Sequence, residues 1–199
     1  MQAARGASLT SSDAGSSSPT TSPSAKPRTA RRIFAVVALA AYAVDVSSKI
    51  WAVEGLADGD VSVFGDWFRL HLVRNPGAAF STGTEFTVVF SLVAIGAVCV
   101  VLWFGRRLGD RVWAVALGLL LAGIGGNLTD RLLRDPGPLS GHVVDMFAVP
   151  HWPVFNVADI CINVAAGLIL LQAFRNVRLD GTKPAHVGSD DGAGNEVEG

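Results

Sequence analysis

The chain has 199 residues and a formal net charge of -1. It shows no basic stripe with interleaved aromatic residues, so the sequence gives no sign of a nucleic-acid partner. Half of the residues are hydrophobic and only 17% are charged, which excludes an ordinary soluble domain with about 25% charged residues. Together with a mean hydropathy of +0.40, this composition predicts a membrane protein.

The chain begins with a polar segment and then becomes strongly apolar. Residues 1–30 are rich in Ser, Thr, Ala and Pro, and residues 179–199 are Gly-rich and acidic. Neither segment can bury enough apolar area to offset the entropy of ordering, so we predict two disordered tails. The run over residues 33–53 is long enough for a transmembrane helix. Ala41-Tyr42-Ala43 resembles a signal-peptide cleavage site, but the apolar run continues beyond it, which favours a retained helix.

The segment after the first span alternates between apolar and polar residues. Val61 to Phe64 and Phe68 to Val73 have the period of half-buried strands, and Gly65-Asp66 between them suits a hairpin turn. We predict a small sheet on the outer leaflet, with Trp67 at the membrane interface.

Three further apolar runs cover residues 86–104, 112–128 and 154–174. The loop over residues 129–153 contains four prolines, so we predict irregular backbone that walls a site. The predicted fold class is an all-α membrane protein: residues 31–178 form a bundle of four transmembrane helices with a small extracytoplasmic β-sheet.

The positions of Lys and Arg predict the topology, because cytoplasmic flanks collect these residues. They precede the first span, fill the turn between the second and third spans, and follow the fourth. Both termini are therefore predicted to be cytoplasmic, and the loops over residues 54–85 and 129–153 extracytoplasmic.

Two carboxylates lie in apolar surroundings where each is costly. Asp145 lies in the run HVVDMF, and Asp159 lies inside the fourth span. Intramembrane carboxylates mark functional sites by default. Two that converge repel each other unless they share a proton, which is the arrangement that lets one act as an acid and the other as a base. A purely structural role is therefore least favoured for this pair.

Other polar residues share helix faces or helical spacing with each other. They are Asn156, Asp159 and Asn163 on the fourth span, Gly123, Asn127 and Asp130 on the third span with Arg131 alongside, and Asp45 and Lys49 on the first span. Purely structural roles for these residues stay open at this point. Asp45 with Lys49, or Asp130 with Arg131, suits a structural ion pair, and asparagines commonly join transmembrane helices.

Small residues on the third span predict a close helix contact. Gly118, Ala122 and Gly126 repeat every four residues and form a ridge that lets another helix approach.

A metal site is the other candidate for this region. His142, Asp145 and His151 are near each other in sequence, but no HExxH motif or cysteine cluster accompanies them. We therefore expect neither a metal nor another cofactor.

Five blocks of the sequence resemble one known family. They are VDVSSK, RNPGAAFS, GGNLTDR, VVDMF and FNVADICI, spread in this order over about residues 33–175. In this combination they resemble the lipoprotein signal peptidases, or signal peptidase II, which are aspartyl proteases of bacterial membranes. The chain departs from the family pattern at Met146 and in the long stretch between Arg131 and Asp145. These departures do not touch Asp145 or Asp159, but the conformation of the entrance loop could differ from that of the family.

The resemblance implies a role for each matching residue. Asp145 and Asp159 would be the catalytic dyad. Positions that support the dyad or contact substrate would be Asp45, Lys49, Asn75, Gly123, Asn127, Asp130, Arg131 and Asn156. The implied substrate is a prolipoprotein whose cysteine carries diacylglycerol, cleaved just before that cysteine. The implied location is the bacterial plasma membrane, with the active site near the outer leaflet, membrane lipids as partners and a monomer as the expected state.

Two other classes of function stay open. A small transporter or proton channel also uses intramembrane carboxylates, but it predicts internal repeats, and none is visible. A structural membrane-assembly protein would leave both aspartates dispensable.

Overall fold

The computed structural model describes residues 27–77 and 87–183. Its elements are α1 (Pro27–Gly55), β1 (Val61–Phe64), β2 (Phe68–Asn75), α2 (Thr87–Gly105), α3 (Arg111–Leu133), β3 (Val143–Ala148) and α4 (Val157–Phe174). All four helices are long and apolar enough to cross a membrane. The prediction of a multi-pass helical membrane protein with a small sheet is therefore confirmed.

The helix bounds differ from the predicted spans at several ends. α1 begins at Pro27, so the predicted tail over residues 1–30 is wrong for its last four residues. Proline is favoured in the first helical turn, where its missing N–H costs nothing. α3 continues to Leu133 because its polar end packs inside the protein rather than against lipid. The fourth helix begins at Val157, three residues later than predicted, because Asn156 caps it.

The chain after α4 folds back onto the turn between α2 and α3. The carbonyl of Leu179 accepts hydrogen bonds from the backbone N–H groups of Gly109 at 2.9 Å and Asp110 at 3.2 Å. The indole N–H of Trp113 donates to the carbonyl of Val177 at 2.9 Å. Leu179 also packs against the apolar cluster at this end of the bundle. The prediction that the disordered tail begins at residue 179 is therefore wrong for Leu179. This single apolar side chain lies next to a polar segment, and it packs against the bundle.

The sheet has three antiparallel strands in the order β1-β2-β3. The predicted hairpin of β1 and β2 is confirmed. The prediction of irregular backbone over residues 129–153 is wrong for residues 129–133, which continue α3, and for Val143–Ala148, which form β3. β3 pairs with β2 and places Asp145 opposite Val73. The hydrogen bonds of β3 go to a strand far earlier in the chain, and a local pattern does not reveal such a pairing.

α3 lies at the centre of the bundle and packs against α1, α2 and α4. The small-residue ridge faces α1, since a Cβ on Gly118 would lie 3.0 Å from the carbonyl oxygen of Phe34. A Cβ on Gly126 would lie 2.1 Å from Oδ2 of Asp45. The predicted close helix contact is thus present, and at Gly126 it leaves room for a carboxylate.

We expect Gly126→Ala to destabilise the protein by about 1–3 kcal/mol, the usual cost of overpacking a filled core. The added methyl would displace the Asp45 carboxylate from its partners. Gly167→Ala in α4 is the matched control, because a Cβ there meets nothing within 4 Å. Thermal unfolding of the purified variants in detergent measures the difference, and equal midpoints for both variants would contradict the close approach at Gly126.

Candidate active site

β3 places Asp145 by the alternation of a strand. Val144 and Met146 are buried and pack against Ala52 and Leu56, close to the end of α1. Asp145 points to the opposite face of the strand and lines a cavity of about 510 Å³. An apolar strand face thus anchors the element that carries the carboxylate.

The start of α4 places Asp159 through a capping box. The side chain of Asn156 accepts a hydrogen bond from the backbone N–H of Asp159 at 3.0 Å. Oδ2 of Asp159 in turn accepts from the backbone N–H of Asn156 at 3.1 Å. Asn156 therefore precedes the helix, and its predicted place on a helical face of the fourth span is wrong. Asp159 lies in the first turn, where the helix dipole stabilises negative charge.

Asp145 and Asp159 line the same cavity, and three asparagines hold them. Nδ2 of Asn156 donates to Oδ1 of Asp145 at 2.6 Å, and Nδ2 of Asn75 donates to Oδ2 of Asp145 at 3.1 Å. Nδ2 of Asn127 donates to Oδ1 of Asp159 at 3.1 Å. Because Asn156 contacts both aspartates, one residue sets their relative placement.

Burial makes Asp145 a weaker acid than an ordinary aspartate. Loss of solvation is the main cause that raises the pKa of Asp145 to about 6, and the hydrogen bond from Asn75 partly opposes it. The negative charge of Asp159 raises this pKa further. Asp145 can therefore take up a proton near neutral pH, which an ordinary aspartate does not.

A buried charge network lies behind the cavity. Nζ of Lys49 lies 2.9 Å from Oδ2 of Asp45 and 3.0 Å from Oδ2 of Asp130, and Lys49 is only 1% exposed. Oδ1 of Asp45 accepts from the backbone N–H of Ala158 at 2.8 Å. Nε of Arg134 lies 2.5 Å from Oδ1 of Asp130. Two carboxylates and two cations thus form a neutral network that joins α1, α3 and α4.

The network reaches the aspartate pair through Asn127. Its Oδ1 accepts from Nζ of Lys49 at 2.9 Å and from Nδ2 of Asn156 at 3.1 Å. With its oxygen between two donors, the amide must turn its nitrogen toward Asp159. The orientation of the group that contacts Asp159 is therefore fixed by Lys49 and Asn156.

The predicted pairing of Asp130 with Arg131 is wrong, because Asp130 pairs with Arg134. Neighbouring residues on a helix point apart, whereas residues four apart face each other. That spacing is visible in the sequence and would have identified Arg134. Arg131 instead lines the cavity, where its Nη2 lies 3.4 Å from the carbonyl oxygen of Gly77. Its Nη1 is buried and has no hydrogen-bond partner among residues 27–77 and 87–183.

The remaining predicted residues do not hydrogen-bond to the carboxylate groups of Asp145 and Asp159. Gly123 lets α3 approach α4, since a Cβ there would lie 2.5 Å from the carbonyl oxygen of Ala158. Asn163 lines the cavity and donates to the carbonyl oxygen of Asp159 at 2.8 Å, a bond within its own helix. His142, Asp145 and His151 do not form a metal-binding group in the described part of the chain.

Sequence reasoning missed the apolar wall of the cavity. It consists of Trp152, Pro153, Val154, Phe155, Ile160, Ile162 and Val164. These residues lie in an apolar span and in the segment before it, so hydropathy alone cannot separate the side chains that face the cavity from those that face lipid.

Comparison with known proteins decides the family. Residues 37–175 match the sequence model of signal peptidase (SPase) II. The chain belongs to the signal peptidase II family. It is 45% identical over 164 residues to the lipoprotein signal peptidase of Leifsonia xyli, and the aligned region covers 81% of this chain and 74% of that protein. It is 51% identical over 150 residues to the Mycolicibacterium smegmatis lipoprotein signal peptidase, covering 75% of this chain and 63% of that protein.

Solved structures of bacterial membrane enzymes share the fold of this protein. One has a TM-score of 0.64 at 21% identity and covers 78% of this chain and 94% of that structure. Another has a TM-score of 0.60 at 22% identity. Family membership and the four apolar helices together make this protein a membrane-embedded peptidase.

Proposed function

We propose that the protein is an aspartyl endopeptidase that removes signal peptides from diacylglyceryl-modified prolipoproteins by cleaving just before the lipidated cysteine. The observation that carries this proposal is the convergence of Asp145 and Asp159 on one cavity, with Asn156 bonded to both. The relatives named lipoprotein signal peptidase support the choice of substrate.

The environments of the two aspartates support a division of roles between them. Asp145, with its pKa raised to about 6, holds the proton and donates a hydrogen bond to the carbonyl oxygen of the scissile peptide. Asp159 lies at the positive end of a helix and accepts two hydrogen bonds, so it carries the negative charge and draws a proton from water. The activated water attacks the carbonyl carbon while Asp145 gives its proton to the carbonyl oxygen. Asp159, which took a proton from the water, then gives it to the leaving amine, and Asp145 regains its proton from the gem-diol as the peptide bond breaks. This cycle needs neither a metal nor a cofactor.

The walls of the cavity suit a lipidated peptide. Ile160, Ile162 and Val164 line one side with apolar surface, next to the carboxylates. Acyl chains on the cysteine beside the scissile bond would pack there, since burying apolar chains is favourable. Arg131 also lines the cavity, where its guanidinium would bind a peptide carbonyl.

The direct test uses purified protein and two precursor peptides that differ only in the diacylglyceryl group on cysteine. We expect cleavage before the cysteine of the lipidated peptide, and at least about a hundredfold slower cleavage of the plain peptide, because it lacks the apolar contacts that orient the scissile bond. Mass spectrometry of the products locates the cleaved bond. Equal rates for both peptides, or cleavage elsewhere, would contradict the proposed specificity.

We further propose that the protein lies in the bacterial plasma membrane as a monomer, with cytoplasmic termini and the active site near the outer leaflet. The basic residues at the start of α1, directly after α2 and at the start of α3 support this orientation.

The orientation can be tested with a thiol reagent that does not cross membranes. In a background with Cys99→Ser and Cys161→Ser, we expect Ala57→Cys to be labelled in intact cells and Lys183→Cys only after lysis. Both positions are exposed, so the two sites differ mainly in the side of the membrane they face. The reverse pattern would place the active site on the cytoplasmic side.

A further inference from the structure

Of the exposed arginines at the end of the bundle opposite the two aspartates, six lie at or next to the ends of α1, α2 and α3. They are Arg28, Arg31 and Arg32 at the start of α1, Arg106 and Arg107 after α2, and Arg111 at the start of α3. We refer to these six residues as the arginine surface. The proposed catalytic groups lie near the other ends of the same helices, so this surface is a separate feature of the molecule.

A local contact between the start of α1 and the end of α2 brings arginines of these two helices together. Gly105 allows the approach, because a Cβ there would lie 3.1 Å from the ring of Phe34. Nη2 of Arg31 then donates to the carbonyl oxygen of Arg106 at 2.6 Å. Arginines from two separate helices are thus held in one surface by packing and by a specific hydrogen bond.

Within residues 27–77 and 87–183, none of the six arginines forms an ion pair with an acidic side chain. The ion pairs in this part of the chain involve Lys49, His71 and Arg134 as the cations. Asp110, the nearest acidic residue in sequence, instead caps α3 and accepts from Gln172 at 2.7 Å. Like charges held together raise the free energy unless an anion neutralises them, so the surface is suited to binding one.

An aromatic side chain next to the surface indicates which kind of anion fits. The guanidinium of Arg107 lies 4.2 Å from the ring centroid of Trp103. Trp103 is 47% exposed and belongs to the last turn of an apolar helix, the place that tryptophan takes at a membrane interface. A ligand here meets charge and lipid-facing apolar surface together, which fits a phosphate that carries acyl chains.

We propose that the arginine surface binds the phosphate head groups of anionic phospholipids, of which phosphatidylglycerol is the simplest probe. Arginine suits this role because its planar fork binds phosphate oxygens with two N–H groups at once. The inference concerns lipid binding alone and does not depend on the proposed cleavage reaction.

The test compares lipid binding to the purified full chain in mild detergent, measured by native mass spectrometry. Phosphatidylglycerol and phosphatidylcholine with the same acyl chains are titrated separately. We expect the parent to prefer phosphatidylglycerol, and Arg31→Gln with Arg107→Gln to weaken its binding about 30-fold, the combined effect of two basic residues near a lipid surface. The matched control, Arg69→Gln with Arg74→Gln, removes two exposed arginines of β2 and should leave binding unchanged.

A second double variant keeps the test valid if the first one misfolds. Arg28→Gln with Arg32→Gln should weaken phosphatidylglycerol binding to a similar extent while keeping the hydrogen bond from Arg31. Equal affinity of the parent for both lipids, or equal losses in the β2 control, would overturn the proposal.

Two added arms separate other anions from lipid. Displacement of phosphatidylglycerol by inorganic phosphate at equal concentration would show a soluble anion site and overturn the lipid assignment. Residues 184–199 contain four acidic residues, so a chain ending at Lys183 is tested as well. If it bound phosphatidylglycerol more than tenfold tighter, that acidic segment would be the occupant of the surface and the proposal would be wrong, whereas unchanged binding supports it.

Discussion

Asp145→Asn and Asp159→Asn are each expected to lower the cleavage rate of a lipidated precursor by about two to four orders of magnitude, the range for loss of general acid-base catalysis. Asparagine keeps the shape of the side chain but cannot take part in the proton exchange with water. Because the two groups act as one unit, the double variant should be hardly slower than either single variant. Cleavage of the precursor peptide by purified protein measures all three.

The matched control is Asp180→Asn, which removes an exposed carboxylate far from the cavity. It should cleave at the parental rate, and binding of the lipidated precursor should persist in the dyad variants. A folded single variant that cleaves within about threefold of the parent would rule out the aspartyl mechanism.

The same Asp145 variant has a predicted signature in stability. The pKa of Asp145 rises from 3.8 to about 6 in the folded protein, so folding favours the protonated form. The resulting stabilisation is fully present below about pH 3.8 and is lost as pH rises through about 6, a change of up to about 3 kcal/mol. Asp145→Asn cannot show this loss. Its stability relative to the parent should therefore increase between pH 4 and pH 7, as thermal unfolding would report, and a constant difference would contradict the raised pKa.

Lys49→Met is expected to destabilise the protein by about 3–5 kcal/mol, the cost of leaving a buried charge uncompensated. Lys49 is 1% exposed and lies between Asp45 and Asp130, so its removal leaves the network with an excess negative charge. The same change frees the amide of Asn127 to rotate away from Asp159. Thermal unfolding and cleavage should therefore both be impaired.

A charge-balanced variant distinguishes electrostatics from lost packing. Lys49→Met combined with Asp45→Asn removes one charge of each sign, and the new amide oxygen can still accept from the N–H of Ala158. We expect this double variant to recover much of the stability of the parent. Lys183→Met, at an exposed position, is the control and should change nothing. A double variant less stable than Lys49→Met alone would show that charge balance is not what the network provides.

Local sequence patterns were enough to predict the transmembrane helices, the first hairpin and the two aspartates. Long apolar runs identify transmembrane helices because crossing hydrocarbon requires about 20 apolar residues in succession. The β1–β2 hairpin was also readable, since alternation and a Gly65-Asp66 turn both lie within a few residues. The aspartates stood out because carboxylates in apolar sequence are costly.

The sequence by itself therefore determined the class of protein, the number of helices and the residues that deserved testing. Only the tertiary structure decided how they combine. β3 exists through pairing with β2, and that pairing turns Asp145 into the cavity. Asn156 acts as a cap rather than a helical residue, and Arg134 takes the place expected of Arg131 beside Asp130. The β2–β3 pairing joins segments far apart in the chain, and hydropathy and spacing along the sequence do not encode it. The Asn156 cap and the Asp130–Arg134 pair are local contacts, and the packing around each side chain decides which of several local alternatives forms.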